Sequence, residues 1–574
     1  MTSMTARTIR RPRVGVLALC LACLVLFVWP VAMLAYGMLR TAPPGQGGHW
    51  SASGLTSALS SWDVWHSFIN SLILSAAVVI LSTALAIYLA WLVTRTRTPL
   101  RQVVTPVAVL IFAVPPMFYT LSWAMLGQQP SGLIDKALSG MFGVTPVNVQ
   151  SWYGLIVVSV LGATAAQYLL LLGPFQALNP ALEEASLVCG ASRFRSFLQI
   201  EIPSLAPAIL GCMILGFVLG MGMLTTPLLL GEPAGIYVLP TEIYRLIQGV
   251  TPADYAGAST LSVLLVLVVL VLVAIQSKVL GQRKFVTVTG KSSRRERVDI
   301  GAWKWLGTLA IALFTVFALV LPVGQFVLGS FESYFGVYSH FTTRNYATVF
   351  QQPGTGQAFT TTILVAVVSG FLATLLGVLI TLVTQRSTSR LRRLPDICVW
   401  LLWAVPGITL SLGIIWAYLS VPGLKQLYGT QWIVLLALVV GTTPIASRAV
   451  GGSIVQIGRE LEEAARTSGA SALRSTAGIL VRLIAPSFLV SWLISGIVAS
   501  GNLDIPILLA SPTNQTVPLL AYDLYDNGSL SQAAATFCVF IGIIAALLVV
   551  VAVVRLVLSL RARLAQRATL VPAV

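Results

Sequence analysis

Residues 180–195 read PALEEASLVCGASRFR, and residues 460–474 read ELEEAARTSGASALR. Both stretches combine a short acidic and alanine-rich run with a glycine and then basic residues. An offset of 279 residues aligns Glu183-Glu184-Ala185 with Glu462-Glu463-Ala464, Gly190-Ala191-Ser192 with Gly469-Ala470-Ser471, and Pro227 with Pro506. Agreement at one offset predicts that the chain contains an internal repeat.

The repeat extends upstream of these stretches at a second offset. An offset of 291 residues pairs Phe68 with Phe359, Arg95 with Arg386, and Pro115 with Pro406. The two offsets differ by 12 residues, which predicts an insertion in the first half, in the loop around residues 127–150.

The composition places both halves in a membrane. Of the 574 residues 57% are hydrophobic and only 9% are charged, whereas a soluble domain carries about 25% charged residues. This excludes a soluble globular protein, a disordered chain and a nucleic-acid binder. A transmembrane helix needs about 20 apolar residues. Twelve such stretches lie near residues 14–39, 66–94, 103–126, 152–178, 205–229, 256–280, 303–329, 358–384, 397–420, 431–456, 484–509 and 533–560.

The distribution of basic residues predicts the orientation. With the N-terminus in the cytoplasm and the spans alternating, 30 of the 35 Lys and Arg residues fall on the cytoplasmic side, as the positive-inside rule requires. The net charge of +17 is therefore a topology signal. We predict an all-α polytopic membrane protein of about 12 transmembrane helices in two parallel six-helix repeats, with both termini cytoplasmic. The halves are residues 1–280 and 303–574, joined by a basic cytoplasmic linker, 281–302.

The two opening stretches are predicted to be short cytoplasmic helices that end at a glycine. Pro180 suits the first turn of a helix. Gly190 and Gly469 can adopt the left-handed conformation that stops one. The small residues beside the carboxylates allow another surface to approach closely.

These segments resemble the cytoplasmic coupling motif of ABC importer permeases, E-A-A-x3-G-x9-I-x-L-P. The first copy is Glu184-Ala185-Ser186, Gly190, Ile200 and Ile202-Pro203, and the second is Glu463-Ala464-Ala465, Gly469, Ile479 and Val481-Arg482, which lacks the final proline. The resemblance implies that segments 181–203 and 460–482 dock on ATP-hydrolysing subunits. The residues expected to couple transport to the ATPase are Glu183, Glu184, Ala185, Gly190, Glu462, Glu463, Ala464 and Gly469.

The resemblance also implies the partners. Two copies of an ABC ATPase subunit bind ATP and Mg²⁺, a substrate-binding protein delivers the solute, and this chain is a non-enzymatic subunit of a bacterial inner membrane that binds no cofactor. The nearest phosphate-loop match, Gly290-Lys291-Ser292, has Phe285 where the pattern needs glycine. We find no set of residues in the sequence that suggests a catalytic centre or a metal site.

Fusion of two halves, with the segments 226–231, 243–248 and 254–258, resembles the iron(III)-type branch of these permeases and implies ferric iron as the solute. Permeases for thiamine, phosphonate, polyamine, sulfate or molybdate share much of this pattern. The alternative class is an ion-driven secondary transporter, which predicts several buried ionisable residues along the path.

Two further features are candidates for function. Asp504 is the only acid that the sequence places clearly within a span, and an ionisable residue at depth is costly and therefore a candidate for the translocation path. The alternative is that it lies near the outer interface and is hydrated. Its repeat mate is Thr225, so its role would be asymmetric. On the outer side, Tyr522, Asp523, Tyr525 and Asp526 form a polar aromatic patch suited to contact with the binding protein.

Overall fold

The computed structural model describes residues 14–143, 148–281, 297–458, 460–469, 471 and 476–569. Within these ranges the regular structure is helical and no β-strand forms. The spans of the first half are α1 (Val14–Gly37), α2 (Trp62–Arg95), α3 (Arg101–Gly127), α4 (Trp152–Ala177), α5 (Arg193–Met221) and α6 (Tyr255–Gly281). Those of the second half are α7 (Trp303–Phe331), α8 (Thr355–Arg386), α9 (Arg390–Leu419), α10 (Gln431–Gln456), α11 (Gly478–Ser500) and α12 (Leu530–Thr569).

The third span of each half is bent. In α3, the segments Arg101–Ala113 and Pro116–Gly127 meet at 101°, and in α9 the segments Arg390–Trp403 and Gly407–Leu419 meet at 117°. The apolar stretches 103–126 and 397–420, each of which was predicted to be one transmembrane helix, are therefore each broken into two helices. Pro115 and Pro406 lie at the two bends, where the missing N–H and the ring both oppose continuation of the helix.

The fifth span of each half ends earlier than its apolar stretch. Helix α5 stops at Met221 and α11 at Ser500, although the apolar residues continue to about 229 and 509. The chain then forms short helical segments on its way to the next span. These segments are Pro227–Gly231, Glu232–Ala234, Leu239–Tyr244 and Arg245–Gly249 in the first half, and Pro506–Leu509 and Val517–Asp526 in the second.

The first span of each half packs on the opposite half. Helix α1 lies against α9 as well as α6, and α7 lies against α3 as well as α12. In the first contact the rings of Trp29 and Tyr418 are 5.8 Å apart, and in the second those of Phe118 and Phe326 are 5.7 Å apart. The remaining core of each half consists of the second, fourth and fifth spans. This packing of each first span on the opposite half buries aromatic side chains between the halves, and these contacts hold the two halves together.

Shorter helices connect the spans. The loop predicted to carry the insertion contains Leu133–Phe142. It rests on the second half, because Lys136 donates to the carbonyl of Gly336 and the Tyr338 hydroxyl donates to that of Ser131 at 3.2 Å. The remaining short helices are Ser53–Ser60, Pro180–Val188, Arg344–Gln351, Lys425–Leu427 and Glu460–Thr467.

Candidate functional site

The first predicted coupling segment is a capped, exposed helix. It spans Pro180–Val188, and the Asn179 side chain accepts a hydrogen bond from the Ala181 N–H at 3.0 Å, which satisfies one of the free donors at the helix start. Gly190 follows with φ of 84°, the left-handed conformation that ends a helix with least strain when the residue is glycine. Glu184, Ala185 and Gly190 are exposed, and Glu183 is half-buried.

The second predicted coupling segment has the same design. Its helix spans Glu460–Thr467, and Gly469 follows with φ of 88°. Glu463, Ala464 and Gly469 are exposed. The Glu462 side chain lies outside the described residues. The two segments therefore share a short helix, exposed carboxylate and alanine side chains, and a left-handed glycine at the same repeat position.

A π-helical turn leads from each coupling segment into the fifth span. The turns are Phe197–Glu201 and Thr476–Leu480, and they are related by the repeat offset of 279 residues at both ends. Such turns are rare and occur frequently at functional sites. Sequence reasoning missed them, because no residue type marks a π turn.

A second candidate site lies where the two halves meet. The Thr225 hydroxyl donates to Asp504 Oδ1 at 2.8 Å, and these two residues are repeat mates. Two positions related by a twofold axis come into contact only where they lie next to that axis. The Thr225–Asp504 pair therefore marks the pseudo-twofold axis between the halves.

Two glycine–proline contacts flank this axial pair. A methyl group on Gly222 would lie 3.0 Å from Pro406 Cγ, and one on Gly501 would lie 2.5 Å from Pro115 Cβ. Each contact joins the end of a fifth span in one half to the bend of the third span in the other. The close approach of the two halves requires glycine at both positions. We call the two glycine–proline contacts and the Thr225–Asp504 pair together the axial constriction.

Hydrogen bonds within each half hold the constriction in place. In the first half, the hydroxyls of Thr120 and Thr226 are 3.0 Å apart. In the second, the Ser411 hydroxyl donates to the Ile505 carbonyl at 3.0 Å. Both bonds tie the outer segment of a bent third span to the chain that follows the fifth span, at repeat-equivalent positions.

Two predictions about buried acids need correction. Asp504 does not lie in a helical span but in the irregular connection between α11 and Pro506–Leu509, where it is half-buried. It is also not the only acid within a span, because Glu201 in α5 is 2% exposed and lies 3.4 Å from Arg95 in α2. The sequence assigned Glu201 to the exposed coupling segment, because the start of α5 is less apolar than its centre.

The outer patch is less accessible than its composition indicates. Tyr522 is buried, Asp523 and Tyr525 are half-buried, and only Asp526 of the four is exposed. The Tyr525 hydroxyl donates across the halves to the Leu229 carbonyl at 3.0 Å. Burial raises the pKa of Asp523, and a hydrogen bond from Gln515 at 2.8 Å opposes that rise. The patch thus contributes one free carboxylate and a structural contact between the halves.

The described part of the chain contains no group of three or more His, Cys, Asp or Glu side chains arranged to hold a metal ion. What it does contain is a pair of exposed helices, a constriction on the axis and ten to twelve membrane-spanning helices. The described residues therefore combine a multi-pass helical architecture with two matching exposed helices at equivalent repeat positions.

The family model for the inner membrane component of binding-protein-dependent transport systems matches residues 82–286 and 373–567. The chain belongs to this family. It is therefore a multi-pass inner-membrane permease of an ABC importer, and the two separate matches agree with the predicted repeat. The permease matches once in each half, and each match includes one coupling segment and the axial residues of its half.

Curated relatives of the permease span most of its length. The ferric transport system permease protein FbpB of Actinobacillus pleuropneumoniae is 27% identical over 485 residues, which is 83% of this chain and 69% of the relative. The putative ferric transport system permease protein FbpB 1 of Haemophilus influenzae is 29% identical over 73% of this chain and 66% of its own. A solved alginate ABC transporter is similar over 46% of this chain and 92% of its own, with 19% identity and a TM-score of 0.37.

Proposed function

We propose that this permease forms the path of an ATP-driven importer of ferric iron. Each exposed coupling helix docks on one of two ATPase subunits, and a periplasmic binding protein delivers the solute at the opposite face. ATP binding moves the coupling helices, and the two halves rock between inward-open and outward-open states about the axial constriction.

One observation supports this proposal above the others. The helices Pro180–Val188 and Glu460–Thr467 occupy equivalent repeat positions, present exposed carboxylates and end at left-handed glycines. A polytopic protein without partners has no need for two matching helices outside the membrane. Ferric iron is the favoured solute because two relatives that match 83% and 73% of the chain are described as ferric permeases.

Co-purification tests the ATPase assignment. We expect that the tagged permease, extracted in detergent, retains two copies of an ABC ATPase, measured by native mass spectrometry. Glu184→Lys and Glu463→Lys together should reduce this yield strongly, because they reverse charge on both docking surfaces. Asp526→Lys, the same change on an exposed outer-side residue, should leave it unchanged. Equal yields from both variants would contradict docking at the coupling helices.

Uptake tests the solute. Cells that depend on this system should accumulate radiolabelled ferric iron, and excess molybdate, phosphonate or thiamine should not compete. Uptake of molybdate, phosphonate or thiamine with no uptake of iron would reassign the substrate within the same family. Uptake that persists without any ATPase but follows the proton or sodium gradient would favour a secondary transporter.

A further inference from the structure

The strongest unexplained feature of the membrane region is a buried ion pair that touches both flanks of the first coupling segment. Arg95 ends α2 and is 6% exposed. Its Nη2 donates to the Phe175 carbonyl at 3.1 Å, in the last turn of α4 before the coupling helix. Its Nε lies 3.4 Å from Glu201, which ends the π turn after the coupling helix.

The coupling helix itself is connected to this π turn. The Ser186 hydroxyl donates to the Ser196 hydroxyl at 2.7 Å, and Ser196 immediately precedes the π turn Phe197–Glu201. Polar contacts therefore join the coupling helix to the start of the π turn and the end of the π turn to Arg95, with the turn itself as the link between them. A single guanidinium fixes the entry and the exit of the segment against one membrane helix.

The second half has only part of this arrangement. Arg386 is the repeat mate of Arg95 and donates to the Ile457 carbonyl at 2.6 Å, again just before the coupling helix. The repeat mate of Glu201, however, is Leu480, which is 1% exposed and packs in an apolar cluster with Val378, Val450, Ile454 and Ile484. Ser186 is likewise replaced by Ala465. At the position equivalent to Glu201, the second half therefore has apolar packing in place of an acid.

This difference has a physical consequence. A buried ion pair is a poor source of stability, because desolvation offsets its attraction, but it is directional and fixes geometry. Apolar contacts are non-directional and leave more freedom to slide or rotate. The end of the first π turn is therefore fixed against α2 by a directional contact, whereas the end of the second π turn, at Leu480, is packed by non-directional contacts.

We propose that Arg95 and Glu201 are positioning residues that make the first coupling segment move as one unit with α2 and α5, through an ion pair whose acid is replaced by Leu480 in the second half. This proposal rests on the docking of ATPase subunits proposed above. It predicts that the permease loses coupling in its first half when Glu201 is replaced by leucine, the residue already present at the equivalent position of the second half.

Native Cys189 allows a direct test. It is exposed in the first coupling segment, whereas the other five cysteines are buried or half-buried. A spin label on Cys189 reports the order of that segment. The matched control carries Cys189→Ser with Ser468→Cys, which moves the label to the exposed repeat mate in the second segment. Both labelled permeases are reconstituted in lipid with their ATPase subunits.

Glu201→Leu should increase the mobility of the label at Cys189 without ATP and leave the label at position 468 unchanged. In the same vesicles, the ferric iron imported per ATP hydrolysed should fall by roughly 2- to 30-fold, the range expected for a residue that carries coupling. The double variant Arg95→Met with Glu201→Leu leaves no unpaired buried charge, and it should reproduce both effects if the single variant assembles poorly.

Two results would overturn the proposal. The first is an unchanged Cys189 spectrum with an unchanged ratio of iron to ATP in a well-assembled variant. The second is an equal increase in mobility at both labels, which would indicate a general loosening of the protein. Failure of the unmutated permease to retain or stimulate an ATPase would refute the proposed function, and that failure is visible before any variant is made.

Discussion

Replacing Gly501 by alanine should open the axial constriction. The added methyl group would lie 2.5 Å from both Cβ and Cγ of Pro115, whereas carbon atoms in contact are normally about 3.5–4.0 Å apart. The obstacle is a rigid ring at a helix bend, so the two halves must separate by roughly 1 Å at this level. Overpacking of this kind costs about 1–3 kcal/mol.

The cost falls on the state in which the halves touch. If the constriction is open in the other transport state, that state is not penalised, and the ratio of open to closed permease rises about 5- to 150-fold. Gly222→Ala should have a smaller effect, because its methyl group would lie 3.0 Å from Pro406. Gly324→Ala in α7 should have none, because in the described part of the chain no heavy atom lies within 4 Å of the added carbon, its own neighbouring helix backbone aside.

Disulfide formation measures the closed population. Cysteines at positions 225 and 504, in a Cys189→Ser background, replace the hydrogen-bonded axial pair and should cross-link rapidly under mild oxidation. We expect the rate to fall in the order Gly324→Ala, Gly222→Ala, Gly501→Ala. A Gly501→Ala permease that cross-links as fast as the Gly324→Ala control would show that the halves do not touch at this level, and the reasoning would fail.

Three further outcomes are expected. Asp504→Asn keeps an oxygen acceptor but removes the carboxylate on the axis, so iron uptake should fall while the ATPase still co-purifies. Unchanged uptake would show that this carboxylate has no role in the translocation path. Gly469→Val places a β-branched residue at φ of 88° at a cost of about 1–2 kcal/mol, so uptake should fall with normal membrane insertion, and Gly190→Val should act alike in the first half; uptake at the unmutated level would argue against the coupling role. Burial and the charge of Asp526 raise the pKa of Glu232 on the outer face, so on acidification this carboxylate is neutralised before an ordinary glutamate. If the Glu232 carboxylate contributes to docking, affinity for the binding protein should fall as the pH drops through that raised pKa, and Glu232→Gln should flatten this dependence of affinity on pH. Identical pH profiles for the unmutated permease and Glu232→Gln would exclude a role of Glu232 in docking.

The number and order of the spans could be predicted from the sequence, because a membrane span leaves a long apolar stretch that few other structures share. The left-handed glycines of the coupling segments were predictable for a similar reason. Gly190 and Gly469 each follow a short helical run, and local chain geometry alone favours glycine there.

The bends at Pro115 and Pro406 were not predictable, because proline in a membrane helix produces anything from a slight kink to a complete break. The outcome depends on which group takes up the space beside it. Here that group is a glycine from the opposite half: Gly501 lies 386 positions from Pro115 along the chain, and Gly222 lies 184 positions from Pro406.

The contact between Thr225 and Asp504 was not predictable either, because it also joins the two halves. The repeat offset identified the two as mates, but an offset carries no information about distance from the axis. The Arg95–Glu201 pair could not be predicted for a different reason. The positive-inside rule places Arg95 on the cytoplasmic side, and Glu201 lies within the predicted coupling segment 181–203. No pattern in one sequence shows that two residues 106 positions apart are buried together.

The position of Asp504 has a consequence for the origin of the chain. In a homodimer, the residue beside the twofold axis faces its own copy, because a symmetric interface presents the same surface twice. An aspartate there would face an aspartate, and two carboxylates in contact repel each other or share a proton. Two halves with separate sequences escape this restriction and place a hydroxyl donor opposite a carboxylate acceptor. The pairing of Asp504 with a threonine is thus available only to halves that have diverged, and restoring identity by Thr225→Asp should force the halves apart unless the two carboxylates share a proton.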